Sequence, residues 1–281
     1  MVASSRSTSH GDSTQNPGRP PRTPQENPAG GPLRALVEAL AAIDRAETLE
    51  AGQAGLQTIG RSLGLPTLSW APDVARPDFD RHMDAFMRRA GWSDEVLSLW
   101  WNRAIMLKSP LYIRCRTGAE PFVTDLDARI PSRPSEIPRL TGLMRDMGLR
   151  ALITAPVHLP RGRIAMVTWG GGLTKAEARE ALGFARPYLL AAAHLFMRVY
   201  LAETARFPSS AEELARLTPR EQQCLRLTAQ GHREEQVAGM LGLRATTVRF
   251  HLDNVVRKLG AANRVHAVAL GAQLGLVGPI D

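Results

Sequence analysis

Thr246, Arg249, Phe250, Asp253, Asn254 and Arg257 share one side of any helix that begins near Ala245. Hydroxyl, guanidinium and amide groups on one helix face can hydrogen-bond base edges and phosphate oxygens in a major groove, which admits a single helix. The other side of the segment carries Val248, Leu252, Val255 and Leu259, at steps of four, three and four. At about 100° per residue these form one narrow apolar stripe that must pack on something. Lys258 lies near the C-terminal end, where a cation suits the helix dipole, and Gly260 closes the helix.

Two shorter helices are expected to supply that packing. Thr218 and Glu221 have capping-box spacing, with Pro219 at the first helical position, where its missing N–H costs nothing. Cys224, Leu225 and Thr228 give the first helix an inward face, and Gly231 stops it. A second helix runs from about Arg233 to Leu241, with Val237, Ala238 and Leu241 inward and Gly242 opening the turn. Beyond Gly260, Asn263 caps a fourth helix. Its Val265, Val268, Ala269 and Ala272 are small enough for two copies to pack closely. The order is that of a helix-turn-helix. A plain helical bundle with a solvated basic face is the alternative, but caps, turn and stripe all agree.

This segment resembles the LuxR-type helix-turn-helix of bacterial transcription regulators. Leu217-Thr-Pro-Arg-Glu, Gly231, Val237-Ala, Leu241-Gly-Leu, Thr247-Val, His251-Leu, Lys258-Leu-Gly, Asn263-Arg and Ala267-Val carry the resemblance. It implies that Thr247, Arg249, His251 and Lys258 hold the DNA backbone. Thr246, Arg249 and Phe250 would lie closest to bases, with Asn254 and Arg257 on the same face. Two positions depart from the family. Gln236 stands for a Glu, and Arg244 stands where Ser or Thr caps the recognition helix. Loss of that cap costs about 1 kcal/mol, which a phosphate contact from Arg244 would offset. The implied partners are a second copy of the chain, a near-palindromic double-stranded operator and RNA polymerase.

The 281 residues leave room for two domains and a tail. A net charge of +8 favours polyanionic partners. Cys115 and Cys224 are far apart and without metal-ligand spacing, so they read as buried thiols of a reducing cytoplasm. No apolar run approaches the roughly 18 residues that a membrane span needs. Residues 1–31 are rich in Ser, Thr, Pro and Gly and lack the apolar core of a secretory signal. They read as a disordered tail whose Arg6, Arg19 and Arg22 are passive.

From Leu33 the pattern changes. Leu33, Leu36, Val37 and Leu40 mark one amphipathic helix; Leu56, Ile59 and Leu63 mark another. Gly64 and Pro66 precede a short strand from Thr67 to Ala71. Trp92 to Lys108 reads as one helix, Phe122-Val123 as a strand start, and Ser135 as the cap of a helix with Leu140, Leu143, Met144 and Met147 inward. Leu152–His158 and Arg163–Trp169 flank a Pro/Gly turn and read as an antiparallel hairpin. Gly170-Gly-Gly172 then makes a turn, with Thr174 capping a helix that runs to about Ala205 and is kinked at Pro187. The expected class is α+β. An N-terminal α/β/α layered domain with an antiparallel sheet (32–205) leads through a linker (206–213, including Phe207-Pro-Ser-Ser210) to an all-α four-helix helix-turn-helix domain (214–281).

The N-terminal region resembles, more faintly, the autoinducer-binding domain of quorum-sensing LuxR-type receptors. Ser109-Pro, Pro121-Phe, Gly148-Leu-Arg, Thr154-Ala-Pro-Val and Arg161-Gly carry the likeness. Ser109 replaces the Asp that takes the ligand amide N–H, Thr124 replaces a Trp that donates to the lactone carbonyl, and Leu152 replaces a Gly. Thr168 matches a pocket hydroxyl and Thr154 matches the sheet. The resemblance implies a ligand site with Trp100, Trp101, Tyr112, Phe122 and Thr124 as walls and Ser109 and Thr168 as polar handles. An uncharged Ser109 accepts a weaker hydrogen bond than a carboxylate. The expected ligand is an acyl-homoserine lactone or a non-standard relative, with a bulkier or aromatic-acyl compound binding better than a simple short-chain lactone. Bulky residues usually pack in cores, and a ligand-independent regulator whose N-terminal domain only dimerises is the main alternative.

Other chemistry is poorly supported. Gly170-Gly-Gly172 lacks the Gly-Lys-Ser/Thr of a phosphate loop. The histidines, including His158 and His194, have no metal-ligand spacing, Asp125 and Asp127 read as a solvated loop, and no nucleophile motif appears. Neither an enzyme, a cofactor nor a metal is expected. A hydrolase fusion lacks its nucleophile, and a phosphorylation-controlled response regulator lacks its acidic cluster.

Overall fold

The computed structural model describes residues 30–128, 136–160, 162–204 and 217–278. The expected tail, linker, Ser135 cap and Arg161 lie outside the described residues, as does the expected helix end at Ala205.

In the N-terminal part four antiparallel strands form one sheet in the order β1-β4-β3-β2. They are β1 (Thr67–Ala71), β2 (Phe122–Asp125), β3 (Ala151–Leu159) and β4 (Arg163–Gly171). The hairpin pairs Thr154 with Thr168 and Pro156 with Met166. Alternation along each strand sends Trp70, Val167, Trp169 and Ile153 to one face and Ser69, Thr168, Thr154 and Phe122 to the other.

The first face is covered by α1 (Gly30–Asp44), α2 (Leu49–Ser62) and α8 (Lys175–Thr204). Trp169 donates its indole N–H to the Leu56 carbonyl of α2 at 3.0 Å, and Trp70 meets Phe196 of α8 edge-on at 5.2 Å. The second face is covered by α6 (Pro110–Thr117), in a group of shorter helices with α4 (Asp94–Trp100), α5 (Arg103–Met106) and α7 (Glu136–Asp146), while α3 (Arg81–Arg89) packs beside β1 with its Phe86 ring 5.2 Å from that of Trp70. On the second face Cys115 of α6 rests its thiol 3.9 Å from the Met166 sulfur. Burial pushes that thiol up to about 12, so it stays protonated and inert.

The expected α/β/α layering is present. The single helix expected from Trp92 to Lys108 is instead α4 and α5, broken at Asn102. The Asn102 side chain accepts the N–H groups of Ala104 and Ile105, which starts a new helix. Thr174 caps α8 reciprocally with Glu177. That reciprocal bonding holds the Glu177 carboxyl below the usual carboxylate range, chiefly through the Thr174 hydroxyl.

The C-terminal part is all α: α9 (Pro219–Ala229), α10 (Glu234–Leu241), α11 (Ala245–Lys258) and α12 (Arg264–Gln273). The Thr218–Glu221 capping box is closed, at 2.7 and 3.3 Å. Gly242 makes the turn before α11 with φ of 65°, which favours glycine. Val248, Leu252 and Val255 are buried against Cys224, Leu225, Val237 and Ala267. Leu259 caps the helix and is half-buried.

Glu221 is buried, and it receives the Lys258 ammonium at 2.6 Å. Burial pushes its carboxyl up. The ammonium, with the Thr218 N–H and hydroxyl, outweighs that and holds it below the usual carboxylate range. The pair ties the last turn of α11 to the first turn of α9.

Two predictions test this packing. A Cβ on Gly60 would lie 2.4 Å from the Leu65 carbonyl oxygen and 2.9 Å from Trp169. Gly60→Ala is expected to cost about 1–3 kcal/mol by chemical denaturation. Gly183→Ala, whose new methyl meets nothing within 4 Å, gains about 0.5–1 kcal/mol. Lys258→Met is expected to lower stability at pH 7 by about 1–3 kcal/mol. Because the Glu221 value is depressed on folding, the stabilisation is present above the ordinary carboxylate value of about 4.3. It is lost as pH falls through the folded value. The deficit of Lys258→Met should therefore shrink on acidification, followed by thermal unfolding at pH 7 and in steps down to pH 3. A deficit independent of pH would contradict the pairing.

Candidate functional site

Burial of the α11 stripe decides what faces outward. Thr246, Arg249, Phe250 and Arg257 are exposed, Phe250 to 62 %. Thr247, His251 and Asn254 are half-buried beside them. Arg244 occupies the N-cap with an exposed side chain that makes no capping bond. Arg257 donates to Asn254 at 2.9 Å, and the Phe250 and His251 rings lie 5.9 Å apart. Gln236, at the departing family position, still accepts the Arg233 N–H at 2.9 Å. An amide oxygen thus keeps that half of the capping box. All the expected α11 residues except Lys258 share one surface. The Lys258 ammonium is engaged by Glu221, and the lysine side chain is 27 % exposed.

A network on this face is not visible in the sequence. Arg249 donates its Nε–H to one Glu234 oxygen at 3.0 Å, and its Nη2 forms an ion pair with the same oxygen at 3.0 Å. Arg264 bonds the other Glu234 oxygen and also Asp253, the latter at 2.9 Å. Burial pushes the Glu234 carboxyl up, but Arg264 and Arg249 outweigh it and hold it low. The partners lie 15 and 30 residues apart, so no local pattern reveals them.

On α12, Val265 is 80 % exposed, and Ala269 and Ala272 are exposed with it. Val268 departs from the expected outward stripe. It is half-buried and packs on the cluster of Leu225, Val255 and Ala267.

In the N-terminal domain the expected ligand residues divide. Trp100, Trp101 and Tyr112 line one small cavity of about 10 Å³, beside Trp70, Asp80, Met83 and Arg76. That is the lower limit for one water molecule. Ser109, Phe122, Thr124 and Thr168 do not line it. Phe122, Thr124 and Thr168 share the sheet face beneath α6, where the Thr168 hydroxyl bonds Thr154 at 2.9 Å. Ser109 is buried at the N-cap of α6 but caps nothing with its side chain. Arg114 lies over the Phe122 ring at 4.2 Å. Trp101 donates its indole N–H to Asp84 at 2.8 Å, and Trp100 meets Trp92 edge-on at 5.7 Å. Burial pushes the Tyr112 hydroxyl well above its ordinary value.

Trp70 is a cavity residue that sequence reasoning missed. Its indole nitrogen is buried without a hydrogen-bond partner among the described residues, as is that of Trp92. Trp70 sits in a strand whose neighbours all read as core, so no pattern marks it. Asp80, also missed, caps α3 through the His82 and Met83 N–H groups and receives the Tyr200 hydroxyl of α8. Among the described residues no helix is long and apolar enough to cross a membrane, and no His/Cys/Asp/Glu cluster could hold a metal ion.

Two family models match separate parts of the chain. The family model for bacterial regulatory proteins of the luxR family matches residues 215–270, and that for the autoinducer binding domain matches residues 49–199. The chain is similar to the transcriptional activator ExpR of Dickeya dadantii, at 25 % identity over 68 % of this chain and 78 % of ExpR. It is similar to the transcriptional activator AhyR of Aeromonas hydrophila, at 32 % identity over 49 % of this chain and 52 % of AhyR. The matched region therefore spans about half of AhyR and over three quarters of ExpR. Escherichia coli SdiA shares the fold, with a TM-score of 0.56 at 17 % identity over 88 % of this chain and 99 % of SdiA. The chain belongs to the LuxR family of bacterial transcription regulators and carries an autoinducer-binding domain ahead of its helix-turn-helix.

Proposed function

We propose that the chain acts in the cytoplasm as a homodimeric transcription regulator whose DNA binding answers to a small apolar ligand. The sensor occupies 32–205 and the DNA-binding domain 214–281. The observation that carries the DNA assignment is the exposed face of Thr246, Arg249 and Phe250 on a helix whose other side is buried. A single α11 covers only a half-site, so two copies bind a near-palindrome. The exposed Val265, Ala269 and Ala272 supply one self-complementary face. Bound near a promoter, such a dimer would contact RNA polymerase.

The ligand assignment rests on the autoinducer-binding family match and on the buried donor of Trp70, unpaired among the described residues, beside Trp100 and Tyr112. A cavity of about 10 Å³ accepts no acyl chain, so Trp100 and Trp101 must move aside for one to enter. Binding would then draw mainly on apolar burial, at about 25 cal/mol per Å².

In mobility shifts with duplexes selected by the wild-type protein, Arg249→Ala is expected to lose about 1–3 kcal/mol of affinity. Footprints should show two half-sites. Unchanged affinity together with a single half-site and a monomer on DNA would remove the assignment. In a thermal-shift screen, aromatic-acyl lactones should stabilise the protein more than short-chain ones, and Ser109→Asp with Thr124→Trp should reverse the order. Tight stabilisation of the unmodified protein by short-chain lactones would refute the altered-seat reading. No shift with any compound would favour a domain that only dimerises, which the closed cavity also fits.

A further inference from the structure

We propose that Glu234 is a positioning residue that aims Arg249 at a guanine, a refinement that rests on the DNA-binding reading above. Arginine has five N–H donors in a rigid plane. The Nε–H donates to one Glu234 oxygen at 3.0 Å, and Nη2 pairs with that same oxygen at 3.0 Å as an ion pair. That contact uses the side edge of the guanidinium. The end edge remains: both hydrogens of Nη1, which no described residue engages, and the outer hydrogen of Nη2. Two parallel donors on one planar edge match the O6 and N7 acceptors that guanine alone presents side by side in the major groove. Adenine offers a donor next to N7, so the same edge meets a like group there.

The clamp is itself held. Glu234 is the first residue of α10, where a carboxylate suits the helix dipole. Its second oxygen is taken by Arg264, the first residue of α12, which also grips Asp253, one helical turn beyond Arg249. Three helices thus converge on one carboxylate, whose side chain is only 17 % exposed, while that of Arg249 is 62 % exposed. The rigid end lies inside and the free end outside. A carboxylate on a face meant for phosphates weakens sequence-independent attraction. Its gain is in orientation: an arginine that has lost its rotamer freedom discriminates one base by geometry, where a free one spreads over any phosphate.

The test uses the full chain and a library of duplexes with a randomised centre. Base preferences are compared after selection by wild type, Arg249→Ala, Glu234→Ala and Glu234→Gln. The wild type should show a guanine position that Arg249→Ala abolishes. Glu234→Ala should weaken the guanine preference there about ten-fold, leave other positions in place and bind random-sequence duplex as tightly as wild type or more so. Glu234→Gln, which keeps one acceptor but not the charge, should fall between. It carries the comparison alone if thermal melting shows Glu234→Ala unfolded.

An undiminished guanine preference in both Glu234 variants would overturn the proposal. So would equal weakening at every position, or weaker binding to random-sequence duplex by a folded variant, because either marks a merely structural ion pair. Loss of a base other than guanine in Arg249→Ala would overturn it while leaving the DNA-binding reading intact. Failure of the wild type to enrich any sequence would overturn both.

Discussion

A helix of 14 residues is only marginally stable alone in water, so whatever α11 presents outward depends on what it buries inward. Val248, Leu252 and Val255 supply that anchor, and they are held against Cys224, Leu225 and Val237 by two shorter helices. Neither of those would persist by itself either. The three are stable jointly, and capping settles where each begins. Thr218 with Glu221 starts α9, Gln236 satisfies an N–H at the start of α10, and Asn263 starts α12 by accepting the His266 N–H at 2.9 Å. Glu221 is used twice, once for its own helix end and once for Lys258 across the domain. A buried carboxylate is costly without partners, and here every partner also fixes a helix end.

The sensor domain solves a different problem. A sheet with two apolar faces needs cover on both, and the chain spends unequal material on them. One face receives long helices, including the 30-residue α8. The other receives short segments with many caps. Short capped helices can be rearranged at less cost than a long packed rod, because each carries little buried area of its own. The small cavity lies where Trp70 of the sheet meets Met83, Trp100 and Tyr112 of those short helices.

How much of this is legible in the sequence follows from distance along the chain. Capping boxes, the α11 stripe and the β3–β4 hairpin are signals within a few residues, and they read correctly. Strand β1 is bounded by Pro66 and Pro72, which mark its ends. Helix α3 carries Met83, Phe86 and Met87 at helical spacing, yet at nine residues its periodicity is too brief to separate from a loop. The break at Asn102 has a local sign, an Asn ahead of two apolar-rich turns, that bulk around Trp100 and Trp101 masks. The Lys258–Glu221 pair spans 37 residues, and Glu234 with Arg249 and Arg264 joins three helices. A sequence shows that such charges exist; only the fold decides which of them meet. The same limit applies to the ligand residues. Trp100, Trp101 and Tyr112 do converge, whereas Phe122, Thr124 and Thr168 share a sheet face on which the Thr168 hydroxyl is already bonded to Thr154.

Asp80 gives the sensor domain a mechanical linkage. It borders the cavity, caps α3 and accepts the hydroxyl of Tyr200, four residues before the last described residue of α8. These three attachments share one side chain, so they cannot be moved independently. A displacement of Asp80 away from α8 would uncap α3 and break its bond to Tyr200 in the same step. The cavity wall and the far end of a rod about 45 Å long are therefore joined as a crank is joined to its shaft. The stroke at one end is set by the reach of a single carboxylate.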